Sequence, residues 1–382
     1  MRFFPQSFLW IIAALLAATG AVNASTSGSG RDFKSLITTA EGILGVDQDG
    51  IWLSTDNGAS FFSVYEEVGE RYFALAAAGT TVVAAGEEGL LLRSANSGLD
   101  WSAASAPFFF GDLRSVATNG SGIWMAAGEG DFDGVIVRSS DNGFNWTTIV
   151  APEAEGFRAI AWHIDTGWIV AGEGSFGTGI IYQSLNNGDS WQLLADALDA
   201  PINALAINAE GDILAVGEGG LLLQGSVDDG FSTPDGYTPV SEDLFSVVST
   251  ASGSFIVGGQ SGVLLTADSD GVTDNSLENG PDVTAVLILE DDTLLISGEY
   301  TPPATQERTQ PFNLQLQRDL GTGDFILAVA ETLVGRNYRI EVSTDLQNWT
   351  EVSGSERAGS GGSQTWTLPP QGSHLFWRAV EF

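Results

Sequence analysis

Past residue 30 the chain is a succession of short apolar, β-branched and aromatic runs, broken by Gly, Asn and Asp and alternating at period two. No stretch beyond the first apolar segment has helical period. One phrase recurs: an apolar residue, a variable residue, Ser or Ala, then apolar residues. It reads FKSLI at 33–37, YFALA at 72–76, LRSVA at 113–117, FRAIA at 157–161, INALA at 202–206, LFSVV at 244–248 and VTAVL at 283–287. The small residues fall at 35, 74, 115, 159, 204, 246 and 285, at spacings of 39, 41, 44, 45, 42 and 39, which defines seven units. In the units a second run ends in Gly, as at 82–86, 123–128 and 168–172, and a third follows, as at 90–94, 135–139 and 180–184. A short fourth run then leaves a polar turn.

Four short antiparallel strands per unit, repeated at this period, predict an all-β fold: a seven-bladed β-propeller. A closed ring also removes the exposed edges that so many strands would otherwise present. Residues 25–320 are assigned to it. From 321 to 382 the pattern changes. Tyr338, Ile340 and Val342 alternate as in a half-buried strand, and a separate small β-sandwich domain is expected there. Residues 325–329 are the exception, since they also suit the missing fourth strand of unit seven.

The polar turn after the third strand is itself a repeat. It is SANSGLDW at 94–101, SSDNGFNW at 139–146 and SLNNGDSW at 184–191, and STDNGASF at 54–61 keeps all but the Trp. Ser54, Asp56 and Gly58; Ser94, Asn96, Gly98 and Trp101; Ser139, Asp141, Gly143 and Trp146; and Ser184, Asn186, Gly188 and Trp191 occupy equivalent positions. The Gly supplies backbone freedom for a tight turn. The Ser and the Asp or Asn offer short side chains to turn N–H groups. The Trp offers a large apolar surface to the next blade. Units five and six keep only remnants, at Asp228–Gly230 and Asp268–Gly271, and unit seven has none. Such decay suits a frame element better than chemistry that each copy performs.

The pattern S-x-D-x-G-x-x-W resembles the Asp box of bacterial neuraminidase repeats. The longer phrase AAGEEGLLLRSANSGLDW at 84–101 is similar to the propeller repeats of photosystem II stability and assembly factor-like proteins. The phrase YRIEVSTDLQNW at 338–349 resembles a C-terminal β-sandwich module of exported bacterial proteins. These resemblances imply the fold, and two functions. One is a non-catalytic scaffold that binds a protein partner or assists assembly. The other is a glycan-binding or sialidase-like propeller. Sialidases hold a carboxylate with three arginines, and Arg71, Arg114 and Arg158 stand at the first strands of consecutive units. The Arg-Ile-Pro entry phrase of that family is absent, and no Tyr/Glu pair stands out.

Composition narrows the choice. Lys and Arg number 14 against 49 Asp and Glu, for a net charge of −35, so nucleic acid and anionic lipid are repelled. There is no cysteine, hence no disulfide or thiol chemistry. Residues 1–24 read as a signal peptide with Val22 and Ala24 at the small-residue positions, and the protein is expected to be exported, monomeric and without a membrane span. His163 and His374 lie far apart, which argues against a His-based triad or metal site. No cofactor is expected; the acid-rich turns at 228–230 and 268–271 offer oxygens for weak calcium binding but lack a full calcium-loop spacing.

Glu87, Glu129, Glu173 and Glu218 each follow the Gly that ends a second strand. As a ring of carboxylates on the face opposite the boxes they are candidate binding residues for a cation; the alternative is that they cap turns or pair with neighbours such as Arg114 and Arg158. That face also carries the aromatic insertions Phe108, Phe109, Phe110, Phe132 and Phe176. Exposed aromatics on a rigid ring are contact residues. Arg114 and Arg158 beneath them are expected to orient an acidic group of a partner, which makes this face, over units two to four, the candidate binding site.

Overall fold

The computed structural model describes residues 31–107, 111–130, 133–276, 280–289 and 293–297, with strands at 11–12 and 23–26 and within 313–381. Two compact units are present. The first is built on Arg31–Ile288 and Ile296–Tyr300, the second on Met1–Gly30, Leu289–Leu295 and Thr301–Phe382.

Among the described residues the first unit contains six four-stranded sheets, spanning 35–65, 72–103, 111–149, 156–198, 202–232 and 244–274, here called sheets 1 to 6. In each the strands lie side by side in chain order, and all pairs are antiparallel. Sheet 3, for example, runs Gly111–Thr118, Trp124–Gly130, Gly134–Ser139, Thr147–Ile149. The first strands of consecutive sheets face one another around the ring, and Ala285–Ile288 stands between those of sheets 6 and 1. The ring is fastened there by hydroxyl groups. Thr284 Oγ1 donates to Asp32 Oδ1 at 2.7 Å, the Phe33 N–H donates to Ser297 Oγ at 2.8 Å, and Ser297 Oγ donates to the Arg31 carbonyl at 3.0 Å.

The hydrophobic pattern explains why the sheets stack. Second strands are buried along most of their length and are largely apolar, as in Thr81–Gly86. Alternate side chains point to opposite neighbours. Val82 and Ala84 pack with Leu44 and Leu53 of sheet 1, while Val83 and Ala85 pack with Trp124 and Val137 of sheet 3. The same division recurs between sheets 3 and 4, 4 and 5, and 5 and 6. The core is thus a chain of inter-sheet layers rather than one central mass.

The recurrent first-strand phrase has a geometric origin. In sheets 2 to 6 the register shifts at its variable residue, between Tyr72 and Ala74, Leu113 and Ser115, Phe157 and Ala159, Ile202 and Ala204, and Leu244 and Ser246. The variable residue is therefore a β-bulge. The small residue after it lies where neighbouring first strands approach. Ser35, Ser115 and Ser246 each accept the N–H of the next sheet's strand, from Leu75, Ile160 and Val286, at 3.1–3.2 Å.

In the second unit Phe325–Ala330 pairs with Asn313–Arg318 and with Gln364–Leu368. Residues 325–329 therefore lie in that sheet. Asn337–Ser343 pairs with Thr350–Glu351, Arg357–Ala358 and Phe376–Glu381. Ile11–Ile12 pairs with Asn23–Thr26, so Ala24, the expected cleavage position, lies in a strand. Among the described residues no helix is long and apolar enough to cross a membrane.

Candidate functional site

The two faces of the ring carry different chemistry. On one face the boxes form the turns between third and fourth strands. Ser139 Oγ accepts the Gly143 N–H at 3.0 Å and donates to Asp141 Oδ1 at 2.9 Å, and Asp141 Oδ1 accepts the Asn145 N–H at 2.9 Å. Ser54 with Asp56, Ser94 with Asn96 and Ser184 with Asn186 make the same bonds, to Gly58, Gly98 and Gly188 and to the residue four beyond the Asp or Asn. The turn needs two successive left-handed residues, as in Asn142 at φ 62° and Gly143 at φ 81°. Asn and Gly tolerate that region best.

The box Trp packs toward the preceding sheet, not the next one as its position suggests. Trp146 lies with Val83 and Leu91 of sheet 2, and its indole N–H donates to the Gly143 carbonyl at 3.0 Å. Trp101 does the same with Gly98 at 2.9 Å, whereas the buried Trp191 Nε1 has no partner. The reason is the ring's stagger: the box of sheet 3 is zipped to the tail of sheet 2, Ser105 N–H to Phe144 carbonyl and Trp146 N–H to Ser105 carbonyl.

Two residues that the sequence does not single out complete the joint. Arg93, just before the box Ser of sheet 2, donates to the Asn142 carbonyl at 2.8 Å and covers the Phe144 ring at 3.7 Å. Arg138, at the same place in sheet 3, donates to the Asn187 carbonyl and pairs with Asp189 at 2.7 Å. Their shared position before the Ser is the signal that was available. The bonds also hold the box acids in their charged form. The Asn145 backbone N–H, then its side-chain amide, draw the Asp141 carboxyl below the ordinary Asp value. At Asp56 burial pushes the other way and is outweighed by the Ser60 and Ser54 bonds.

A carboxyl lowered in the folded state stabilises it above the unfolded-state pKa, and that contribution is lost as pH falls through the folded value. The melting temperature is expected to drop steeply below about pH 4. Asp141→Asn, which keeps the bonds as Asn96 does, should flatten that drop and leave the neutral-pH value nearly unchanged. Thermal melts across the acid range check this; identical acid slopes would remove Asp141 from the account.

The opposite face carries the Gly-Glu turns and the sheet-to-sheet loops. Here Arg114 pairs with Glu129 and with Asp112 at 2.8 Å. Arg158 donates to Glu173 and Glu218, each at 2.6 Å, and to Asn203 at 2.8 Å. Arg71 lies 3.7 Å from Glu87. All three arginines are therefore paired with the chain's own carboxylates. The cause is the bulge, which aims Arg114 and Arg158 along the sheet at the acid that ends the neighbouring strand.

A Tyr/Glu pair does exist, contrary to the sequence reading. Tyr72 and Tyr65 both donate to Glu70 Oε2. Tyr72 is buried, and burial pushes its phenol well above the usual range, the reverse of an activated nucleophile. His163 meets Thr166 and the Asp165 N–H near the first turn of sheet 4.

Phe176 is on the mouth of this face. The residue is 99% exposed, yet its backbone is left-handed at φ 64°, and its N–H donates to Glu155 Oε1 at 3.2 Å. The corresponding turns carry Glu88, Gly219 and Ser261. Phe108, Phe109, Phe110 and Phe132 lie outside the described residues. No cluster of three or more His, Cys, Asp or Glu able to hold a metal is present among the described residues. Leu99, Phe144 and Leu185, which are also exposed, sit on the box face.

No family model and no curated protein matches the sequence. Solved structures do. YCF48 from Cyanidioschyzon merolae aligns with a TM-score of 0.56 at 15% identity, over 71% of this chain and 94% of that one. YCF48 bound to D1 peptide aligns equally well at 14% identity, over 71% and 92%. The GH74 xyloglucanase from Xanthomonas campestris aligns at 0.57 and 13% identity, over 80% of this chain and 59% of its own. At such identities the likeness is one of fold, and the ring of sheets is a β-propeller.

Proposed function

We propose that the protein is an exported propeller scaffold that docks a protein partner on the face of the Gly-Glu turns, over sheets 3 and 4. The observation that carries this is Phe176. A bulky residue in the left-handed region is a conformational outlier, and strain of this kind clusters at functional sites. Here it holds an aromatic ring in water at a site where three sister turns have Glu, Gly or Ser. An extended partner segment is the favoured occupant, and the D1 peptide held by the YCF48 neighbour supports a peptide rather than a glycan. The engaged arginines remove the feature that most favours a carboxylated sugar.

Phe176→Ser should leave the melting temperature nearly unchanged and abolish capture of the partner from the exported fraction of the producing cells. Capture that survives Phe176→Ser but fails with Leu99→Ser and Phe144→Ser would move the docking surface to the box face.

A further inference from the structure

We infer that the docked segment is cationic, an extended stretch bearing Arg or Lys with one cation seated against Phe176; this rests on the docking face proposed above. The charged groups on this face fall into two sets, one of them reached from Phe176 through backbone bonds. Phe176 N–H bonds Glu155, whose own N–H donates to the Glu173 carbonyl at 2.9 Å. Glu173 and Glu218 share Arg158, while Glu129 and Asp112 share Arg114. Five carboxylates (Asp112, Glu129, Glu155, Glu173, Glu218) thus face two guanidiniums, and 2 − 5 leaves three negative charges in excess.

These acids are within reach of a ligand. The side chains of Glu129 and Glu218 are 45% and 43% exposed. Glu155 is an exposed residue, and its bond to the Phe176 N–H uses only Oε1, which leaves Oε2 for a ligand's cation. An aromatic face next to an exposed carboxylate is the environment that a guanidinium or ammonium selects, by attraction to the ring quadrupole and by the charge-assisted bond. The same surplus rejects the alternatives. An acidic segment is repelled, and so is a second copy of this chain, which carries −35. Arg158, lying between Glu173 and Glu218, shows that guanidinium is accommodated between acids of adjacent sheets here.

The test uses the full chain and a fluorescein-labelled arginine–glycine peptide, with a glutamate–glycine peptide as its counterpart, read by polarisation at low and moderate salt. The arginine peptide is expected to bind and the glutamate peptide not to. Phe176→Ser and Glu155→Gln should each weaken binding about tenfold. The Glu155→Gln variant keeps an amide oxygen as acceptor for the Phe176 N–H, so it carries the test if the Ser variant folds poorly. Asp100→Asn, an equal charge change on the box face, should have no effect. Equal weakening by Asp100→Asn would show diffuse attraction to an acidic protein and overturn the inference, as would binding of the glutamate peptide. If Phe176→Ser destroys partner capture while arginine-peptide binding is untouched, the docking face stands and its cationic occupant falls. If neither responds to Phe176→Ser, both fall.

Discussion

Trp146→Ala is expected to lower the unfolding free energy by about 3–5 kcal/mol, the range for removing a large buried aromatic and leaving a cavity. Trp146 is 4% exposed and fills the layer between sheets 2 and 3, among Val83, Leu91, Leu113 and Trp124. That layer has little freedom to collapse. Arg93 grips the box backbone from sheet 2 and Ser105 is zipped to it, so the two sheets are held apart at the width the indole requires. Trp146→Phe should cost less, because sheet 1 uses Phe61 at this position, its ring centroid 4.6 Å from that of Phe33. Denaturant midpoints for the two variants provide the measurement. A loss below about 1 kcal/mol for the Ala variant, the size of an ordinary surface change, would mean that the box fastens no joint between sheets.

The distance between what the sequence displays and what it conceals is set by range. The four-strand order, the box turn and the buried second strands are local: each follows from period-two patterning and from Ser, Asp and Gly at fixed offsets. Residues 139–146 therefore reveal their turn without any knowledge of what lies beside it. The partner across the joint is another matter. Trp146 facing Val83 of sheet 2, Arg93 reaching Asn142 and Arg114 closing on Glu129 connect residues 15 to 63 positions apart, and only the register of the assembled ring decides them. The three arginines look like a ligand clamp in sequence because spacing carries no record of which carboxylate a bulge brings to them. Phe176 was visible as an exposed aromatic in a loop; that its backbone is left-handed was not.

Gly128→Ala should be more damaging than its one added methyl suggests. Gly128 pairs with Leu113, the residue before the bulged Arg114. A Cβ there would lie 1.8 Å from the Asp112 carbonyl oxygen, 2.8 Å from its carbon and 2.9 Å from Leu113 Cα, all backbone atoms. No rotamer relieves the clash, so either the first strand retreats or the bulge is lost. The same approach recurs at Gly86, Gly172, Gly217 and Gly259, where the nearest atom is again the carbonyl oxygen of the residue two before the bulge, at 2.1–2.6 Å. This is why Gly stands opposite the residue before each bulge: a close backbone approach excludes any side chain. Overpacking typically costs about 1–3 kcal/mol and more where nothing yields, so a loss of about 3 kcal/mol or more is expected. Retreat of the first strand also pulls Arg114 from Glu129 and should disturb the mouth face with the fold. Gly79 supplies the comparison. It is left-handed at φ 58° but meets nothing within 4 Å, so Gly79→Ala should cost only the conformational term of about 1–2 kcal/mol. Equal destabilisation by the two substitutions in parallel denaturation curves would show that the glycines opposite the bulges are kept for some reason other than the pressing carbonyl.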